Sequence, residues 1–188
     1  MANCALCAFW YFQYPDADIL PLLTNTTKII KFLPGLCFDD INGAKNRLEG
    51  FMLKVEAQMG VTYVIRNKNI PMSMIFVNSP LYNKRTINLS IWTVDFFISE
   101  MAEHKGVMFQ SLIRVLNVMK VSMGAQNVYA MVDKNNIDCI KLIGNELFAK
   151  VDNAGFANNA MSGKKPLVYM IDLTRTKFKN ENGDLEAY

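Results

Sequence analysis

Between residues 90 and 120 the chain reads SIWTVDFFISEMAEHKGVMFQSLIRVLNVMK. A run rich in β-branched and aromatic residues passes through the polar turn EHKG at residues 103–106. It enters directly a pattern in which Met108, Leu112, Val115 and Met119 recur at helical spacing, with Gln110, Asn117 and Lys120 away from that face. The first amides of such a helix lack intrahelical acceptors and converge, with the helix dipole, on a place suited to an anion.

The rest of the chain can be read around this segment. The apolar start at residues 4–12 has the look of a first strand, and Asp16 caps a short helix through Ile19, Leu20, Leu22 and Leu23, with Pro21 tolerable in its first turn. Residues 39–60 space Ile41, Ala44, Leu48, Phe51, Val55 and Met59 by three and four, open on Asp39 and Asp40 and close on Gly60, which predicts a second helix. VTYVI and IPMSMIFVN around RNKN predict an antiparallel hairpin, and NLSIWTVDFFI another strand. After the helix come a turn and strand, GAQNVYAMV, and a helix over residues 135–148 with Ile137, Ile140, Gly144 and Leu147 on one stripe. LVYMIDL is a last strand, and residues 174–188 form a polar tail. The order predicts an α/β fold in one domain, residues 1–188, built on a mixed, central, largely antiparallel sheet flanked by helices.

Charge and cysteine usage narrow the function. Twenty basic against 17 acidic residues, without a dense Lys/Arg run, argue against nucleic acid as a partner. The apolar start has no basic leader and is far shorter than the ~20 residues a bilayer requires, so a soluble, cytoplasmic protein without a membrane partner is expected. Cys4 and Cys7 form a single C-x-x-C without further ligand pairs, so no metal is expected, and Cys37 and Cys139 complete a set read as reduced structural thiols.

The order of elements, the glycine turn after the fourth strand and the Asn-rich opening of the last helix resemble the GNAT superfamily of acyl-CoA N-acyltransferases. Within it the chain is most similar to the ribosomal-protein N-acetyltransferase subgroup. The resemblance covers about residues 14–173, including an N-terminal helix and loop in DADILPLLTNTTKIIKFLP. Glu103-His104-Lys105-Gly106-Val107-Met108 stands where the family has Q/R-x-x-G-x-G/A, and residues 135–148 resemble its N-x-x-S…L-G-F segment, with Asn136, Cys139 and Phe148 at those positions. Glu103 and Met108 depart from the pattern, a carboxylate replacing Gln or Arg and a bulky side chain replacing a small one.

The resemblance implies acetyl transfer from acetyl-CoA to a primary amine by direct attack in a ternary complex. The acceptor would be an amine-bearing small molecule, a protein N-terminus or a lysine, and a homodimer is left open. Main-chain groups of Phe96 and Ile98 would hold the pantetheine arm and thioester, and residues 103–108 the pyrophosphate, with Asn136 and Cys139 near the sulfur. His104, the only histidine, would act there through its backbone. Many relatives carry a Glu base at the position of Thr93, which cannot serve; Asp95, on the same strand face, is the candidate base and Glu100 the second. Ile143 stands where many relatives have a Tyr that protonates the leaving thiolate. The acceptor would be set by loops at residues 32–40, 79–88 and 152–165. The alternative is a catalytically silent CoA-binding or protein-interaction module on the same fold.

Overall fold

The computed structural model describes residues 8–11, 18–38, 40–67, 70–82, 91–144, 147–152, 166–179 and 184–186. Contacts divide the chain into two compact units, residues 1–77 with 96–111, and residues 78–95 with 112–188. In the first, β1 (Ala8–Tyr11), β2 (Gly60–Asn67), β3 (Ile70–Asn78) and the second half of β4 (Ile91–Ile98) follow one another in the sheet order. In the second, the first half of β4 is followed by β5 (Asn127–Val132), β7 (Leu167–Asp172) and β6 (Ala149–Val151). β1 runs antiparallel to β2, and β7 antiparallel to both β5 and β6, while β4 and β5 are parallel. The expected α/β architecture on a mixed, mostly antiparallel sheet is the one observed.

The first unit buries its core under three helices. Leu20, Leu23, Ile29, Ala44 and Leu48 pack with Val64, Met74, Phe76 and Phe97. The expected first helix is α1 (Leu20–Thr24), with Pro21 in its first turn, and a further helix, α2 (Thr27–Phe32), stands where a loop was expected. Thr26 separates them because its hydroxyl accepts from Ile29 N–H at 3.4 Å, which starts a new helix at that point. α3 (Ile41–Glu56) begins where Asp40 accepts from Gly43 N–H at 2.7 Å. It ends four residues before Gly60, and Gln58 takes the left-handed conformation at φ 56°. Gly60 is a strand residue instead: a Cβ there would lie 2.0 Å from the Val77 carbonyl oxygen, so only glycine lets β2 approach β3. Ala44 and Leu48 are fully enclosed, whereas Ile41 and Val55, near the two ends of the helix, are exposed.

α4 (Val107–Met123) matches its periodicity closely, with Met108, Leu112, Val115 and Met119 all buried. In the second unit α5 (Ile137–Gly144) is turned from the expected stripe. Ile143 is its fully enclosed residue, whereas Ile137 is 53% exposed. The polar tail is also structured, as β8 (Lys177–Lys179) pairs with β9 (Asp184–Glu186). Lys120, expected to face away from the apolar stripe, donates to the Thr176 carbonyl at 2.7 Å and holds the chain there. Among the described residues no helix is long and apolar enough to cross a membrane.

Candidate active site

The glycine turn lies in the first unit. β4 ends at Ile98, a short 3-10 turn covers Glu100–Ala102, and the chain then reverses through two left-handed residues, His104 at φ 58° and Gly106 at φ 72°. A left-handed residue that is not glycine carries strain, and His104 accepts it inside the turn. The first helical bond of α4 runs from Gln110 N–H to Gly106 C=O at 3.1 Å, so the amides of residues 107–109 have no acceptor within the helix. A Cβ at Gly106 would meet no atom of the described residues beyond its chain neighbours within 4 Å, so the space in front of the turn is open on that side. His104, Lys105 and Gly106 are exposed.

The side chains at the two departures from the family pattern are both accounted for. Met108 is 3% exposed and Val107 5%, so their bulk fills the interior. Glu103 is held by Lys28 of α2, whose ammonium lies 2.9 and 2.8 Å from its two carboxylate oxygens. Lys105 turns back along the chain and donates to the Met101 carbonyl at 2.6 Å.

Strand geometry orients the main chain before the turn. Phe97 C=O accepts from the Ser73 hydroxyl at 2.7 Å, and Ser99 N–H donates to Met72 C=O at 2.8 Å, so residues 97 and 99 face β3. The main-chain groups of Phe96 and Ile98, alternating with them, face the opposite edge. Ser99 is 5% exposed and its hydroxyl has no partner among the described residues, a buried donor that sequence reading did not single out. Glu100 is exposed at the start of the 3-10 turn.

The candidate base lies in the second unit. There β4 pairs with β5 from Ile91 to Thr93, opposite Asn127 to Tyr129, while β5 continues to Val132. The ladder therefore stops just before Asp95. Asn78, the last residue of β3 and 4% exposed, donates its amide to Thr93 Oγ1 at 3.0 Å and to Asp95 Oδ2 at 2.9 Å. Both amide hydrogens are thus used to join the two residues of the β4 face considered for the base. Asn78 was missed because one amide closing an apolar strand reads as a strand end; IPMSMIFVN gave only that signal.

Asn136 and Cys139 are brought together at the start of α5, where Asn136 Oδ1 accepts from Cys139 N–H at 3.2 Å. Asn136 is thereby the cap of that helix. Burial pushes the Cys139 thiol up to about 12, with the charges of Asp95 and Asp138 adding to the effect. The thiol therefore stays protonated at neutral pH. Ile143 is 0% exposed and faces the apolar interior. Residues 83–88 and 153–165 of the expected acceptor loops, like Cys4 and Cys7, lie outside the described residues. Among the described residues no cluster of three or more potential metal ligands occurs.

No family model and no curated protein sequence matches the chain. Solved structures match it over most of its length. RimJ of Mycobacterium smegmatis, in complex with CoA-disulfide, superposes with a TM-score of 0.73 at 11% identity, covering 87% of this chain and 80% of that one. The microcin C7 self-immunity acetyltransferase MccE, in complex with acetyl-CoA and AMP, gives 0.71 at 14% identity over 87% and 91% of the two chains. RimL, a ribosomal-protein α-N-acetyltransferase in complex with coenzyme A, gives 0.69 at 14% identity over 87% and 90%. At these identities the likeness is one of fold: the chain has the fold of the GNAT acetyltransferases.

Proposed function

We propose that the protein is an acyl-CoA-dependent N-acetyltransferase that passes an acetyl group from acetyl-CoA to a primary amine within a ternary complex. The observation that carries this reading is the fold it shares with RimJ, RimL and MccE, each of them in complex with CoA or acetyl-CoA. The turn suits the diphosphate of such a cosubstrate: Gly106 leaves open space before the first amides of α4, and its φ of 72° is a left-handed conformation that glycine takes without strain.

In this reading the residues divide the work. The turn of residues 103–108 binds pyrophosphate through its amides, and the main chain of Phe96 and Ile98 orients the pantetheine and the thioester carbonyl. The neutral amine attacks the carbonyl carbon, the new N–C bond forms as the C–S bond breaks, and the electron pair leaves with the CoA thiolate. Asp95 takes the proton released by the amine, with Asn78 holding the carboxylate in place. Glu100, exposed, is the second candidate for that proton. Ile143 cannot return a proton to the thiolate. A thiolate leaving group of ordinary thiol pKa, about 8–9, still departs near neutral pH, so turnover is slow rather than absent.

The acceptor class is an amine, borne by a small molecule or by a protein N-terminus or lysine. Acetyl-CoA turnover measured against spermidine, other polyamines and short peptides with free N-termini tests the reading. Activity with one of these acceptors, reduced by Asp95→Asn without loss of CoA binding, supports it. The silent CoA-binding module is favoured by Glu103 in the anion turn and by the enclosed Ile143. CoA binding without turnover across the panel would select that alternative.

A further inference from the structure

Glu103 poses a problem at its position. It opens the turn that leads through Gly106 into α4, and a carboxylate there opposes any anion drawn to the helix amides. Its side chain is only 19% exposed, so solvent screens the charge less than at an open surface. Lys105 does not pair with the carboxylate: its ammonium donates instead to the Met101 carbonyl at 2.6 Å. The answering cation comes from 75 residues away: Lys28 reaches both carboxylate oxygens, at 2.9 and 2.8 Å. Lys28 is 47% exposed, so the pair adds little to stability. Its significance is electrostatic and local.

We propose that Lys28 is a positioning residue for the acyl-CoA cosubstrate. By holding both oxygens of Glu103 it cancels the carboxylate charge at the entrance of the turn and leaves the amides of α4 their preference for pyrophosphate. α2 thus becomes part of the cofactor machinery through Glu103. This inference rests on the acyl-CoA reading given above. It concerns a residue for which the family pattern has no position, since the need arises from the Glu103 departure in this chain.

Titration calorimetry with CoA on the full chain tests it, using the wild type, Lys28→Gln, Glu103→Gln and the double variant. Lys28→Gln exposes the carboxylate charge and should weaken CoA roughly three- to tenfold at low salt. Glu103→Gln should bind at least as tightly as the wild type, and the double variant should return to within about twofold of Glu103→Gln. The loss in Lys28→Gln should shrink as salt rises, which a purely structural role for the pair would not produce. If the wild type does not bind CoA, the acyl-CoA reading fails and takes this one with it. If the wild type binds but Lys28→Gln binds equally well, or the double variant is as weak as Lys28→Gln, only the role of Lys28 is overturned.

Discussion

Cys139 should be an unusually slow thiol. Burial, reinforced by Asp95 and Asp138, raises it from 9.0 to about 12. At pH 8 its thiolate fraction is then about 10⁻⁴, against about 10⁻¹ for a thiol at 9.0, a deficit of about a thousandfold. Nucleophilicity rises with basicity at a Brønsted slope of about 0.4–0.5, so three units restore about twentyfold and leave the native thiol roughly fiftyfold slower. Iodoacetamide labelling followed by peptide mass spectrometry measures this directly, with the urea-unfolded chain as the reference. Asp95→Asn removes the second cause and keeps the first, so labelling should quicken by a few fold and still fall short of the unfolded rate. Labelling of the native wild type at the unfolded rate, with a midpoint near 9, would refute the placement of Cys139 beside Asp95 in a desolvated setting. The same shift fixes a stability trend. The unfolded thiol loses its proton near pH 9 while the native one keeps it to about 12, so its contribution is intact below pH 9 and is lost as pH rises through that window. The loss approaches ~1.4 kcal/mol per pH unit, visible as a falling urea midpoint between pH 9 and 12.

Gly106→Asp should abolish the rise in Tm that millimolar CoA produces in the wild type, a rise expected from ~2.7 kcal/mol of linkage at a hundred times Kd; an undiminished shift would place the phosphate elsewhere. Ile143→Tyr should lower Tm by roughly 2–10 °C, because the side chain is 0% exposed and overpacking costs about 1–3 kcal/mol; an unchanged Tm would mean the site opens to receive the ring. Asn136→Ala should cost about 1 kcal/mol in urea unfolding through the lost cap, and Asn136→Asp should restore most of it. A larger effect on CoA affinity in Asn136→Asp than on stability would show that the amide serves the ligand besides the helix.

How far the sequence could be read depended on the range of the interactions involved. α4 was legible to its buried face, since Met108, Leu112, Val115 and Met119 answer to one periodicity over 17 residues. IPMSMIFVN matches β3 from Ile70 to Asn78 because β-branched and aromatic residues are bounded there by polar ones. The glycine turn was legible too, as only glycine takes φ 72° cheaply ahead of a helix. What failed was the orientation of short elements. Eight residues of α5 leave two stripes of comparable weight, and packing chose Ile143 over Ile137. One hydroxyl at Thr26 was enough to start a helix where a loop was expected, and one carbonyl, at Val77, gave Gly60 its purpose in a strand.

Local periodicity and backbone sterics act over a few residues and are therefore written in the chain itself. By sequence alone this protein was an α/β fold with an anion-suited turn and a carboxylate, Asp95, on the strand before it. Polar side chains make their partners across the fold. Lys28 meets Glu103 over 75 residues, and Asn78 meets Asp95 over 17, through distances that only the folded backbone sets. Whether Glu103 stands as an open charge, and whether Asp95 is held or loose, was thus decided by tertiary structure, because a hydrogen bond or ion pair has its strength from position rather than from residue type.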